Sequence, residues 1–288
     1  MGKKKLAGIA RKLVIVVAVV LFCYSAYQLI STFLEYKQGT EEYDNLENLV
    51  FAQMPTQPPV RITEQAEPKQ TEEKQDITET QPEPQEETVV NLQQEAQMNY
   101  VDFATLKEMN EDSVAWIILY GTNINYPVLQ GEDNDFYLHH TFNKKANAAG
   151  SVFIDAAIEE GMEGKNVIVY GHNMRNGSMF GTLAYYKNEQ MFKNYPAFLV
   201  YTENGAYEYA IYAAFTTTAG SNVYIPDFGS EESFLEYIDR MKGLSLYDTG
   251  VEVSADDKIM TLSTCSGSNN GRFVVQAKRI EPEEEEQK

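Results

Sequence analysis

Residues 13–34 are 22 consecutive residues without a charged side chain, bounded by Lys12 and Glu35. As a helix rising about 1.5 Å per residue, the run is about 33 Å long, enough to cross the hydrocarbon core of a bilayer. Lys3, Lys4, Lys5, Arg11 and Lys12 precede it, and Glu35, Glu41, Glu42 and Asp44 follow. That asymmetry keeps residues 1–12 cytoplasmic and sends the rest of the chain outside. A cleaved secretory signal would be shorter and end at an Ala-x-Ala-like site. Ser25-Ala26-Tyr27 matches one poorly, and apolar residues continue beyond it. The expectation is an uncleaved single-pass anchor in the cell membrane, with the functional part extracellular. Cys23, mid-span, reads as a small apolar residue.

The remaining charge is strongly acidic. Residues 1–34 carry +5, residues 35–96 carry −11 and residues 97–288 carry −14, in a chain of net charge −20. Such a surface repels polyanions, so no nucleic-acid partner is expected. Cys23 and Cys265 are the only cysteines. They fall on either side of the membrane boundary, which excludes a disulfide scaffold and leaves no common metal site.

Residues 35–97 are rich in Pro, Gln, Thr and Glu, apart from a first stretch able to extend a polar helix. That composition cannot bury a core, and it suggests a self-repelling stalk between membrane and domain. The folded region is expected over residues 98–280, followed by an acidic tail, 281–288. It opens on a helical pattern, Phe103, Leu106 and Met109, and then presents strand-like runs at 116–120, 126–129, 151–154, 167–170, 198–201, 207–217, 259–265 and 273–280. Asn204-Gly205 signals a hairpin between two of them. Ser230 followed by Glu231 and Glu232 marks a helix start, and Phe234, Ile238 and Met241 give that helix an apolar face. Strand and helix do not alternate regularly, so a mostly antiparallel β-barrel with attached helices is expected rather than a doubly wound sheet.

Cys265 closes a strand pattern and is followed by the turn-rich run Ser266-Gly267-Ser268-Asn269-Asn270-Gly271, after which Arg272 opens the next strand. A hairpin there sets thiol and guanidinium at one mouth, where the cation favours thiolate and can hold an oxyanion. His172, in Gly171-His172-Asn173, follows an apolar strand and supplies the proton acceptor and donor that acyl transfer needs. His139 and His140 read as loop or partly packed residues rather than ligands. From residue types alone, a Cys at a strand end such as Cys265 is more often an inert small core residue, and an Arg after a turn such as Arg272 is usually a surface charge.

The runs Thr261-Leu262-Ser263-Thr264-Cys265, Tyr170-Gly171-His172-Asn173 and Gly271-Arg272-Phe273-Val274-Val275, in that family's order and behind a signal anchor, resemble a sortase. Sortases are the membrane-anchored cysteine transpeptidases of Gram-positive bacteria. The opening Asn110-Glu111-Asp112-Ser113-Val114-Ala115-Trp116-Ile117 and the helix-containing insertion around residues 230–241 are similar to class B members. The resemblance implies a closed eight-stranded barrel with an N-terminal helix and that insertion ahead of the nucleophile strand. It implies that Cys265 attacks a Thr carbonyl in a C-terminal sorting motif, that His172 is the general acid/base, and that Arg272 positions substrate and stabilises the oxyanion. Partners implied are secreted proteins bearing the motif and an amine acceptor, either a peptidoglycan precursor or a pilin lysine, with no cofactor. Asn134, Leu138, Tyr224 and Ile225 match groove positions, and Ser263 and Thr264 flank the nucleophile. Ser266 stands where many class B enzymes carry an acid. Two other readings are weighed beside this one. One is a second kind of extracytoplasmic thiol peptidase, which would lack the observed order of His172 before Cys265 or need a Ser-His-Gly-Cys signature. The other is a non-catalytic anchored binding module.

Overall fold

The computed structural model describes residues 2–51, 101–265 and 270–281. Most of the stretch assigned to the stalk, the loop residues Ser266 to Asn269 and the tail beyond Glu281 lie outside the described residues.

One helix, α1 (Gly2–Val50), carries the apolar run, and its side chains over residues 13–34 are largely exposed. It is the one helix among the described residues long and apolar enough to cross a membrane. It does not stop at the end of that run. Gly39, Tyr43, Leu46 and Val50, spaced at three, four and seven residues, form one buried stripe, and Phe51 continues it. Phe51 packs edge-on against Trp116 and Tyr201, and Tyr43 against Tyr126. The Tyr43 hydroxyl donates to Gly150 O at 3.0 Å, and Phe142 N donates to it at 3.3 Å. The first part of the stretch read as stalk is therefore packed on the folded body, because its apolar residues repeat with the helical period. Composition averaged over residues 35–97 hides that repeat.

The chain re-enters at Val101, and α2 (Phe103–Met109) is capped by Asp102, whose side chain accepts from Thr105 N. Eight strands follow: β1 (Ser113–Leu119), β2 (Ile124–Leu129), β3 (Val152–Ile154), β4 (Asn166–Tyr170), β5 (Ala197–Thr202), β6 (Gly205–Thr218), β7 (Ile259–Cys265) and β8 (Gly271–Ile280). They close into a barrel in the order β1-β2-β3-β4-β7-β8-β6-β5. All strand pairs are antiparallel except β2 with β3 and β4 with β7. Each strand-like run of the sequence became one strand. The β5–β6 hairpin closes one residue earlier than Asn204-Gly205 suggests: Gly205 already pairs with Thr202, so Glu203-Asn204 form the turn.

Short helices α3 (Phe136–His139) and α4 (Glu189–Asn194) lie in the connections after β2 and β4. The insertion between β6 and β7 carries α5 (Glu231–Leu244), capped by Ser230 Oγ accepting from Ser233 N at 3.1 Å. Its apolar face, Phe234, Tyr237, Ile238 and Met241, covers Tyr212, Phe215, Ile259 and Val274 on the outside of the barrel. The main core fills the barrel and reaches out to the end of α1.

Candidate active site

The three strands β4, β7 and β8 run side by side, and their registers decide what meets at their shared end. In the parallel pair, Tyr170 is opposite Ser263. In the antiparallel pair, Cys265 is opposite Arg272. Gly171 N donates to Ser263 O at 3.2 Å, carrying the β4 ladder one step beyond the strand and setting His172 on the rim that β7 reaches at Cys265. Residues far apart in sequence are thereby brought to one barrel mouth by backbone pairing alone.

Two close approaches hold His172. A Cβ on Gly171 would lie 2.6 Å from the Phe180 ring, so only glycine lets the rim pass that close to the buried aromatic. Phe180 N in turn donates to His172 O at 2.9 Å. The imidazole Nε2 lies 2.7 Å from Leu138 O. A carbonyl only accepts, so this contact places the ring proton on Nε2. The Leu138 carbonyl is itself pressed into place from behind by Gly150, at φ +58, where a Cβ would meet Leu138 O at 2.6 Å. Neighbouring Tyr137 is fixed by Asn110 and Asp112, both acting on its hydroxyl.

A cleft of about 300 Å³ opens beside the rim, lined by Asn134, Leu138, Phe153, Tyr170, Gly171, His172, Ala219, Tyr224, Ser263, Thr264 and Arg272. Of the residues singled out from the sequence, Asn134, Leu138, Tyr224, Ser263 and Thr264 join His172 and Arg272 in that wall. The Asn134 side chain accepts from Ala156 N at 2.8 Å, and the Tyr224 and Ser263 hydroxyls are 2.9 Å apart. The Thr264 hydroxyl is buried with no hydrogen-bond partner among the described residues. Ile225 is not among the lining residues. It packs toward the cluster under α5, and its carbonyl accepts from Asn166 Nδ2. His139 is exposed 3.7 Å from Asp135, and His140 stacks on Phe136, both away from this wall.

Tyr170 and Phe153 were not singled out in sequence, although strand alternation offers a signal, since Tyr170 lies two residues before His172 and shares its side of the chain. The Tyr170 hydroxyl donates to Asp155 Oδ2 at 2.8 Å. Burial, and then the Asp155 carboxylate, push the Tyr170 hydroxyl far above its ordinary pKa, with Arg272 opposing weakly. It remains a neutral donor at any physiological pH. Among the described residues no cluster of His, Cys, Asp and Glu fit to hold a metal ion occurs.

A closed barrel that brings the His172, Cys265 and Arg272 positions to one rim beside a mostly apolar cleft is an arrangement suited to acyl transfer through a thiol. The family model for the sortase domain matches residues 119–280. Sortase B of Listeria monocytogenes is 37% identical over 178 residues, 61% of this chain and 72% of that protein. Among solved structures, Clostridium perfringens sortase B superposes with a TM-score of 0.59 at 37% identity, covering 62% of this chain and 99% of that one. A Staphylococcus aureus sortase B–substrate complex gives 0.59 at 34%, over 62% and 84%. The chain belongs to the sortase family, in the class B branch, and is a cysteine transpeptidase. Members of that family are membrane-associated cell-surface enzymes.

Proposed function

We propose that this chain cleaves a C-terminal sorting motif after its Thr and passes the acyl group to an amine on the cell surface. The observation that carries the reading is the shared rim, on which the backbone position of Cys265 faces Arg272 across a ladder while His172 follows the adjacent strand. In the first half-reaction the Cys265 thiolate attacks the Thr carbonyl carbon, and the electron pair moves to oxygen. Arg272 holds that oxyanion. The C–N bond then breaks, the leaving amine takes a proton from His172, and a thioester remains. In the second, the acceptor amine attacks the thioester, gives its proton back to His172 and expels the thiolate. The bond energy of the cleaved peptide is kept in the thioester, so no nucleotide is consumed.

Asn134 and Leu138 on one side and Tyr224, Ser263 and Thr264 on the other form the groove that receives the motif. Ile225 supports Tyr224 from behind in this reading. The basic residues before the apolar run of α1 keep the N-terminus cytoplasmic and the barrel outside, as a single-pass membrane protein. Substrates are therefore secreted proteins carrying the motif, and the acceptor is a peptidoglycan-precursor or pilin amine.

The test uses full-length protein in detergent with a panel of Leu-Pro-x-Thr-Gly-like and Asn-Pro-x-Thr-x-like peptides, reading intact mass with and without added amines. An adduct on Cys265, discharged by one class of amine and lost in Cys265→Ala, is the expected result. Absence of adduct across the panel from folded protein would overturn the reading. Arg272→Lys is expected to reduce turnover about 10²- to 10³-fold, because a point charge does not replace the planar fork at an oxyanion.

A further inference from the structure

The path of α1 bears on how far the catalytic barrel stands from the membrane. The apolar run ends at Leu34, and the helix continues without interruption to Val50. The first residue of the run-on that is buried against the body is Gly39, facing Asn147. One turn on, the Glu42 carboxylate accepts from Asn143 N at 2.9 Å, and Tyr43 holds Gly150 and Phe142. Leu34 to Gly39 is about 8 Å of helix at 1.5 Å per residue. The polar layer on each side of a bilayer is about as thick, from the difference between a 30 Å core and a 40–45 Å whole. The edge of the body formed by residues 142–147 thus falls at the level of the lipid headgroups.

The other end of the helix removes the alternative of a spacer. Phe51 pairs with Val101 in an antiparallel bridge, and Asp102 N donates to Val50 O at 3.1 Å. Phe51 and Val101, the residues flanking positions 52–100, thus meet at one point of the body. The length between them does not set the separation between membrane and barrel, because α1 has already docked before it begins.

We propose that the catalytic body is seated on the outer leaflet through α1, with its 142–147 edge against phospholipid headgroups, so that α1 and not the length of the 52–100 segment sets the distance of the barrel from the membrane. The proposal rests on reading α1 as a membrane span with the barrel outside. It fixes the height of the active-site rim above the bilayer by a rigid helix, so reach toward substrates is set by α1 and not by linker length.

The experiment uses the full chain with Cys23→Ala and Cys265→Ala, and one added cysteine for a fluorophore, either Asn143→Cys or Glu203→Cys. Both positions are exposed. Glu203 follows Tyr201, which touches Phe51 about 18 Å farther along α1 than Gly39. Each is reconstituted in lipid nanodiscs containing headgroup-nitroxide phospholipid, a contact-range quencher. Strong quenching at 143 and little at 203 is expected. The same pattern should persist when residues 53–99 are replaced by a short Gly-Ser turn, and quenching at 143 should disappear when a flexible Gly-Ser insert follows Lys37. Lack of quenching at 143 in protein that co-purifies with the discs overturns the seating while leaving the membrane span intact. Protein that separates from the discs overturns the span itself, and the proposal with it. If the shortened chain does not fold, the two labels on the otherwise unshortened chain still decide.

Discussion

At the residue scale, the arrangement turns on two glycines and a main-chain carbonyl. Gly171 brings the rim against Phe180, and Gly150 packs behind Leu138 O, the acceptor for His172 Nε2. A methyl group at 171 has no room, so Gly171→Ala must push either the rim or the Phe180 ring aside. With His172 in the proton-transferring role proposed above, a displacement of about 1 Å costs about 10²-fold in rate. Gly171→Ala is therefore expected to lower kcat/KM for a sorting peptide about 10²-fold, and the added space of Phe180→Leu should recover part of the loss. Equal activity in Gly171→Ala and the parent would show that His172 is placed by something other than this contact. None of this is visible in Gly171-His172-Asn173 as a string. The motif points to His172, but its orienting partner is a backbone carbonyl 34 positions upstream, and carbonyls carry no sequence signature.

At the element scale, α5 is tied to the barrel by more than its apolar face. Gln276 on β8 is fully buried, accepts from Tyr212 Oη at 2.8 Å, and donates to Tyr237 Oη and to Thr261 Oγ1. Thr261 donates on to Asn166 Oδ1 at 2.8 Å, and Asn166 Nδ2 reaches Ile225 O. One amide thus satisfies polar groups from β6, β7 and α5, and the chain continues through β4 to the residue after Tyr224. Gln276→Leu, similar in size, strips those hydroxyls of a partner inside the protein. The expected loss is about 1–3 kcal/mol in urea denaturation, with a change in Tyr224-dependent peptide affinity. A loss below about 0.5 kcal/mol would mean that water replaces the amide. Removing the α5 cap, Ser230→Ala, should cost about 1 kcal/mol by the same measurement and leave the thioester step intact. The helix itself was legible, because Ser230, the two acids after it and the Phe234/Ile238/Met241 spacing are local signals. The network beneath it was not, since its members lie on five separate elements.

At the scale of the whole molecule, the strands that form the rim are clamped at their opposite ends. Glu163 ahead of β4 pairs with Lys258 ahead of β7 and, at 3.1 Å, with Arg279 near the end of β8. Burial raises the Glu163 pKa, but Lys258 and Arg279 outweigh it and hold the carboxyl below its ordinary range. A carboxyl depressed in the folded state contributes stability above its unfolded pKa and loses it as pH falls through the folded one. The carboxylate is 42% exposed, so solvent screening keeps the effect small. Glu163→Gln is expected to lower Tm by a few degrees at neutral pH, with the difference closing as the pH falls below the carboxylate range. A constant gap down to pH 2 would assign the loss to packing instead.

The sequence by itself determined the apolar run, the eight strands and the capped helix of the insertion, and it pointed to His172, Cys265 and Arg272 as site candidates, because each has a local cause in periodicity, turn chemistry or motif. The tertiary structure alone decided the register that sets Tyr170 opposite Ser263 and Cys265 opposite Arg272, the carbonyl that accepts from His172, and the packing of Ile225 against the cluster under α5. It also decided that residues 39–51 belong to the body. Their apolar stripe is short and embedded in acidic sequence, and it becomes a core only when Trp116, Tyr126 and Tyr201, distant along the chain, supply the surface that buries it.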